Sequence, residues 1–207
     1  MRVSGLTFDS CSDYANVAWL SESVERLCPK LCIGMRVLDV GCGSGLWSHL
    51  FASKGCEVVG VDPSETGIKL ARQTYPGIRF EQMLASEDMC AQLKEDPFDL
   101  VISFEVVEHV YAPSQWANAC FESTRTGGAL LCSTPYHGYL KNLVLSLTNG
   151  WDRHWGAEGE GWHIKFFSRK TMSNLLIEAG FRPETIRFRG ASRMPYLWRS
   201  MVFIAEK

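Results

Sequence analysis

Apolar residues recur along this chain with two periods, and the switching between them predicts its elements. Tyr14, Val17, Leu20, Val24, Leu27 and Leu31 fall every three or four residues, which marks an amphipathic helix from about Asp13 to Leu31, with Ser12 or Asp13 able to cap it. Met35 to Val40 is a short apolar run. Three glycines follow it, and Leu46, Leu50 and Phe51 then resume at helical spacing, so a buried strand breaks into a loop and enters a helix near Leu46 to Lys54. The pattern repeats with a strand Glu57 to Val61 and a helix Ser64 to Gln73 that Tyr75-Pro-Gly77 breaks. A strand Ile78 to Gln82, a helix around Glu87 to Lys94, a strand Phe98 to Phe104, a helix Pro113 to Thr124 and a strand Ala129 to Thr134 come next. Strands alternating with helices specify an α/β fold, a mostly parallel sheet with helices on both faces.

The alternation pauses between Pro135 and Phe167 and resumes with a capped helix, Ser168 to Ala179, ended by Gly180. Glu184 to Arg189 and Leu197 to Ala205 are two further strand-like runs, close enough to pair antiparallel, which brings the strands to seven. The pause holds Tyr136, His137, Tyr139, Trp151, His154, Trp155, Trp162 and His163. A long aromatic insertion after a strand's carboxyl end is expected to cover an active site. Within it, Leu140, Leu143, Val144 and Leu147 line one face of a short helix, with Lys141 and Asn142 turned away. Packing on the core is the plain reading of that face; a lid over an apolar substrate or a shallow contact with a membrane surface are the functional ones. Trp151, Trp155 and Trp162 either form an aromatic wall or pin down the loop. The expected organisation is one domain over residues 1–207, with an N-terminal helical segment at 1–34 and a substrate-covering insertion at 135–167.

Charge removes some functions from consideration. With 21 Lys+Arg against 23 Asp+Glu, a net charge of −2 and no block of like charge, the chain lacks the positive field that nucleic-acid binding needs. Neither a signal-peptide pattern nor an apolar run long enough to cross a bilayer is present, so the expectation is a soluble, cytoplasmic protein. The eight cysteines (Cys11, Cys28, Cys32, Cys42, Cys56, Cys90, Cys120 and Cys132) have no Cys-x-x-Cys spacing and read as reduced core thiols.

The chemistry gathers at Val37-Leu-Asp-Val-Gly-Cys-Gly-Ser-Gly45. Gly41, Gly43 and Gly45 let backbone approach a ligand closely, and Cys42 between them is small. The dinucleotide fingerprint would require glycine where this chain has Leu46, and the phosphate-binding lysine of a P-loop is also missing. At the end of the second strand, Val59-Gly-Val-Asp62 places a carboxylate where it can accept both ribose hydroxyls of an adenosine. The loop therefore suits an adenosine without phosphates.

In these stretches, together with Val59-Gly-Val-Asp-Pro-Ser64, Phe98-Asp-Leu-Val-Ile-Ser103 and Thr126-Gly-Gly128, the chain resembles the class I S-adenosylmethionine-dependent methyltransferases over roughly Met35 to Thr134. The resemblance implies a Rossmann-like seven-stranded sheet whose last strand is antiparallel. It also implies a cofactor site of Asp39 near the methionine end, Asp62 and Pro63 at the ribose, Gly41, Cys42, Gly43 and Gly45 in the loop, and Phe104 and Glu105 after the fourth strand. Where relatives often carry Gly-Asp at the adenine, this chain has Met83-Leu84; either backbone groups of Ala85 or Ser86 substitute, or Met83 and Leu84 pack on the adenine face.

Beyond the fourth strand, Phe104-Glu-Val-Val-Glu-His-Val110 puts Glu105, Glu108 and His109 at i, i+3 and i+4, so on a helical turn they point the same way. Such a group either binds a divalent cation or places a general base. The run resembles the O-methyltransferases of ubiquinone biosynthesis, whose matching Glu, Glu and His bind a magnesium-like ion that positions a catecholic substrate. Without an ion, Glu108 would orient His109 or a backbone amide, and Glu105 would meet the cofactor's ammonium group. Ser133-Thr-Pro-Tyr-His-Gly-Tyr-Leu-Lys-Asn142, His163-Ile-Lys-Phe-Phe-Ser168 and Pro195-Tyr-Leu-Trp198 resemble a bacterial group of small methyltransferases of undefined substrate. His109 and His163 are the candidate bases, with a packed, hydrogen-bonded role as the alternative for His163. The expected activity is methyl transfer from S-adenosylmethionine to a small-molecule acceptor, at a phenol, quinol or enol hydroxyl. N-methylation, a non-catalytic cofactor-binding subunit and a dinucleotide or nucleotide-sugar enzyme are the alternatives.

Overall fold

A computed structural model describes residues 14–155, 161–192 and 194–207, without the side chains of residues 14–16, 153 and 155. The proposed caps Ser12 and Asp13 lie outside the described residues. Seven strands form one sheet: β1 (Arg36–Val40), β2 (Glu57–Asp62), β3 (Arg79–Gln82), β4 (Phe98–Phe104), β5 (Thr124–Pro135), β6 (Arg187–Ala191) and β7 (Ser200–Glu206). The helices between them are α1 (Tyr14–Leu27), α2 (Leu46–Ala52), α3 (Glu65–Thr74), α4 (Met89–Leu93), α5 (Pro113–Ser123), α6 (Tyr139–Leu147), α7 (Trp151–Trp155) and α8 (Arg169–Ala179).

The strand order is β3-β2-β1-β4-β5-β7-β6. The pairings β1 to β2, β1 to β4, β2 to β3 and β4 to β5 are parallel, while β7 runs antiparallel to both β5 and β6. The alternating apolar pattern of the strands feeds two cores. Leu38, Val40, Val59, Val61 and Val101 face one layer with Met89 and Leu93 of α4, Trp116 and Cys120 of α5, and Met172 and Leu176 of α8. Val37, Val58, Leu100 and Ile102 face the other with Leu20 and Val24 of α1 and Phe51 of α2. Period-2 alternation and cover on both faces are thus a single fact seen twice.

Successive connections leave β1 in opposite directions, to β2 on one side and β4 on the other, so a crevice opens at the carboxyl ends of these strands. A short relay holds its floor: the buried Trp116 indole donates to Ser103 Oγ at 3.2 Å, and that hydroxyl donates to the Val40 carbonyl at 2.7 Å. One element from α5 and two strands are locked together directly beneath the glycine loop.

Several boundaries move from their expected places. α1 ends at Leu27, ahead of Pro29, because proline cannot continue the backbone ladder. The helix expected over Glu87 to Lys94 keeps only Met89–Leu93, and Lys94 closes it in the left-handed region at φ 58°. β6 starts later than Glu184 because Pro183–Thr185 forms a 3-10 turn, and β7 starts at Ser200 rather than Leu197. α8 matches its prediction: Ser168 caps it in a reciprocal box with Thr171, and Gly180 ends it at φ 112°.

The insertion departs most. On α6, the buried residue is Lys141, 7% exposed, whereas Leu140, Leu143, Val144 and Leu147 are 44, 38, 37 and 77% exposed. The apolar face of that helix is turned outward, which corrects the expectation of an apolar face on the core with Lys141 turned away. Seven cysteines are described, all free; Cys42, Cys56, Cys120 and Cys132 are buried, and Cys32 is exposed rather than in the core. Among the described residues, no helix is long and apolar enough to cross a membrane.

Candidate active site

The crevice widens into a cavity of about 1440 Å³ that runs from the glycine loop to the insertion. At one end Gly41, Cys42 and Gly43 meet Asp62, Pro63 and the Met83–Ala85 segment. Asp62 is held by two backbone amides: its Oδ2 accepts from Gly43 at 3.0 Å and its Oδ1 from Ser64 at 2.7 Å. Burial raises its pKa, against which those two hydrogen bonds act. The carboxylate therefore ties the loop to the end of β2 and still presents its edge to the cavity.

Three residues of the expected cofactor set stand back from the cavity wall. Asp39 is 1% exposed and accepts a 2.6 Å hydrogen bond from Ser48; burial pushes its pKa up to about 7, with the Ser48 bond opposing. Gly45 begins α2 at φ 85°, and a Cβ there would lie 2.7 Å from Phe80 Cζ, so its lack of a side chain serves packing. Ser86 accepts from Gln92 at 3.3 Å and is likewise not part of the lining. Met83, Leu84 and Ala85 do line it, as does Phe104, whose ring lies 4.4 Å from that of Trp47.

The turn after β4 does not gather Glu105, Glu108 and His109 into one group. Glu105 adopts φ 54°, a left-handed conformation unusual for a residue with a side chain. Its Oε1 accepts from Ser133 of β5 at 2.7 Å and its Oε2 from Ser200 of β7 at 2.9 Å. Val107–His109 then forms a 3-10 turn, not an α-helical one, and carries Glu108 beneath the wall at 0% exposure. Glu108 Oε2 accepts from Thr134 at 3.1 Å, and Oε1 has no hydrogen-bond partner. Burial, reinforced by the neighbouring Glu105 charge, holds the Glu108 pKa well above the usual carboxylate range.

Instead of Glu105, His163 joins the group. The Nε2 atoms of His109 and His163 each lie 4.0 Å from Glu108 Oε1, and one ligand atom from each of the three residues falls within 4.8 Å of the others. At 4.0 Å, Glu108 does not hydrogen-bond His109, which corrects that expected role. His109 is oriented by the insertion: its Nδ1 lies 2.7 Å from the Gly161 carbonyl, and since a carbonyl only accepts, Nδ1 carries the proton and Nε2 the lone pair. Burial lowers the pKa of His109 and takes that of His163 down to about 4, with the nearby His109 adding to the second shift. Both imidazoles are neutral at neutral pH.

These facts bear on an ion. Magnesium prefers oxygen donors, and among the described residues the expected Glu105, Glu108 and His109 set does not converge: the Glu105 oxygens are turned to Ser133 and Ser200, and His163 takes its place beside Glu108 and His109. Two imidazoles and one carboxylate do converge, a donor set that does not fit magnesium.

Several lining residues were not among the expected site residues. Trp19 of α1, Lys141 of α6, and Arg199 and Ser200 at the start of β7 reach the cavity from parts of the chain far apart in sequence. Arg199 lies over the Trp19 ring at 4.8 Å, and the Trp19 indole N–H is buried without a partner. Of the insertion's aromatics, Trp162 is half-exposed at the cavity, while Trp151 stacks parallel to His137 at 6.1 Å; the Trp155 side chain lies outside the described residues.

The sequence pattern of the family described as "Methyltransferase domain" matches residues 14–186. A ubiquinone biosynthesis O-methyltransferase of Cereibacter sphaeroides is 33% identical over 154 residues, which are 72% of this chain and 61% of that protein. The chain thus spans about three fifths of the length of this curated relative. Among solved structures, an S-adenosylmethionine-dependent methyltransferase of Mesorhizobium loti superposes with a TM-score of 0.64 at 22% identity, covering 89% of this chain and 95% of that one. One from Archaeoglobus fulgidus gives 0.66 at 17% identity, with 94% of each chain covered. With strand order, crevice and family pattern in agreement, the chain belongs to the methyltransferase-domain family and is built on the fold of the class I S-adenosylmethionine-dependent methyltransferases.

Proposed function

We propose that the protein transfers the methyl group of S-adenosylmethionine to a hydroxyl of a small molecule, a phenol, quinol or enol, in the cytoplasm. The observation that carries this reading is the 2.7 Å approach of His109 Nδ1 to the Gly161 carbonyl: in a neutral ring it commits Nδ1–H to that carbonyl and leaves Nε2 unprotonated in the cavity wall. The adenosine lies against Asp62 and Met83–Ala85, with the sulfonium toward Glu105, and the acceptor enters under the insertion. An oxygen lone pair of the acceptor attacks the methyl carbon in line. The carbon–sulfur bond breaks, its electron pair returns to sulfur as a neutral thioether, and the hydroxyl proton passes to His109 Nε2, with His163 beside it. Most of the acceleration comes from holding the two reactants aligned; proton removal adds a smaller factor. The curated relative's name, an O-methyltransferase, agrees with the oxygen acceptor.

The test is incubation with S-adenosylmethionine and a panel of phenols, quinols, enols and amines, with products read by mass spectrometry. Methyl ethers are expected. Products from amines alone, or tight binding of S-adenosylhomocysteine with no product from any acceptor, would sink the reading.

A second reading is favoured by the convergence of Glu108, His109 and His163 and by the unpartnered Glu108 Oε1: a borderline divalent ion such as zinc or cobalt, not magnesium, binds there. Titration with cobalt(II) separates the two. A visible band from an imidazole-ligated ion, lost in His163→Gln, makes the histidines ligands; no spectral change leaves them as bases.

A further inference from the structure

Lys141 is an expensive residue in its position. It is the buried residue of α6, 7% exposed, on a helix whose leucines face outward. Its ammonium donates to the Arg199 carbonyl at 3.3 Å, and among the described residues no carboxylate lies within 4.0 Å of it. A buried charge without a contacting counter-charge is costly, and burial accordingly takes its pKa down to about 8, with the more distant Glu105 carboxylate opposing. A helix that only covered the cavity would turn a leucine inward here.

We infer that Lys141 is the specificity-determining residue for the acceptor, binding an anionic oxygen group, carboxylate or phosphate, that the acceptor carries beside the hydroxyl to be methylated. Lys141 lines the same cavity as Glu105, His154 and His163, and Arg199 adds a permanent positive charge to that wall. Its place on the insertion sets it with the acceptor-side histidines and apart from Asp62 and Met83–Ala85, which line the adenosine end. The histidines nearby are neutral, so they neither compete for the anion nor repel it. An arriving anion supplies the contact that the buried ammonium lacks, and a charge-assisted hydrogen bond in such a setting discriminates against a neutral isostere.

This inference rests on the reading that the insertion end holds the acceptor, but its test needs no turnover. Benzoate, phenyl phosphate and the neutral benzamide are titrated into protein saturated with S-adenosylhomocysteine. At least one anion is expected to bind about 10-fold or more tightly than benzamide. Lys141→Gln should erase that preference, Lys141→Arg should keep part of it, and the affinity for S-adenosylhomocysteine should stay within about twofold in both. Equal binding of all three probes to the wild-type protein overturns the inference without any variant. So does a Lys141→Gln protein that keeps the anion preference and instead loses S-adenosylhomocysteine, which would assign the ammonium to the cofactor's own carboxylate. Failure of the methylation panel would remove the proposed activity and leave this binding preference standing.

Discussion

His163 makes a quantitative demand on the pH dependence of stability. In the unfolded chain its imidazole takes up a proton near pH 6.5, but in the folded protein only near pH 4, because burial and the facing His109, His154 and Lys141 disfavour the cation. Between those values the folded state binds fewer protons than the unfolded one, so stability falls as the pH falls. At pH 4.5 the full penalty relative to pH 8 is about 2.6 kcal/mol for such a group. The side chain is 28% exposed, and solvent screening reduces the expected cost to about 1–2 kcal/mol. Glu108, 4.0 Å away, acts with the opposite sign, since its raised pKa favours the folded state as it protonates.

The contribution of His163 is therefore read as a difference. Urea unfolding of wild type and His163→Gln at pH 8 and pH 4.5 should show the variant losing about 1–2 kcal/mol less stability on acidification. His137, also held near pH 4 chiefly by burial, is present in both proteins, and only the last and smallest cause of its shift, His163 itself, is removed in the variant. Equal losses in the two proteins would refute the placement of a neutral His163 against Glu108 and His109. An NMR titration of the His163 ring with a midpoint near 6.5 would do the same.

Three further substitutions probe the glycine loop and the outward face of α6. Gly45→Ala should cost about 2–4 kcal/mol in urea unfolding, from a left-handed φ of 85° and a Cβ at 2.7 Å from Phe80, whereas Gly77→Ala, with nothing within 4 Å of its new Cβ, should stay near neutral. Leu147→Glu on the outward face of α6 should change stability by no more than about 0.5 kcal/mol, and a loss of several kcal/mol would put that face back on a core.

The framework was legible because it depends on local periodicity. Strand alternation and the stops at Pro29 and Gly180 report short-range backbone chemistry, and the two cores follow from them. The glycine loop was legible as a loop, though not in detail: Gly41 would drive a Cβ to 2.4 Å from Val106, and Gly45 one against Phe80, so both answer to neighbours distant in sequence. Arg199 and Ser200 could not be found, because only the closure of β7 between β5 and β6 brings the start of β7 to the insertion, and Lys141 was placed on the wrong side of its helix. α6 was misread for a related reason. Helical spacing shows that a helix has an apolar side; it does not show which side the rest of the chain will face.

The same limit separated Glu105 from Glu108. Spacing of i and i+3 aligns side chains only on a regular helix, and the left-handed turn at Glu105 comes before the helical geometry begins. Its consequence is chemical. Glu105 is drawn back to Ser133 and Ser200, where a carboxylate can face the positive sulfonium of the proposed donor, while Glu108 is sent beneath two imidazoles that burial keeps uncharged. Were those imidazoles protonated, they would place positive charge beside a cationic donor and could accept no proton from a hydroxyl. Neutral histidines avoid both penalties, leaving Lys141 as the buried cation at that end of the cavity, partly offset by Glu105 and available to an anionic acceptor. Separating the two carboxylates thus leaves Glu105 facing the side where the proposed donor would carry its positive charge, while burial sets the neutral state of the two imidazoles proposed as proton acceptors.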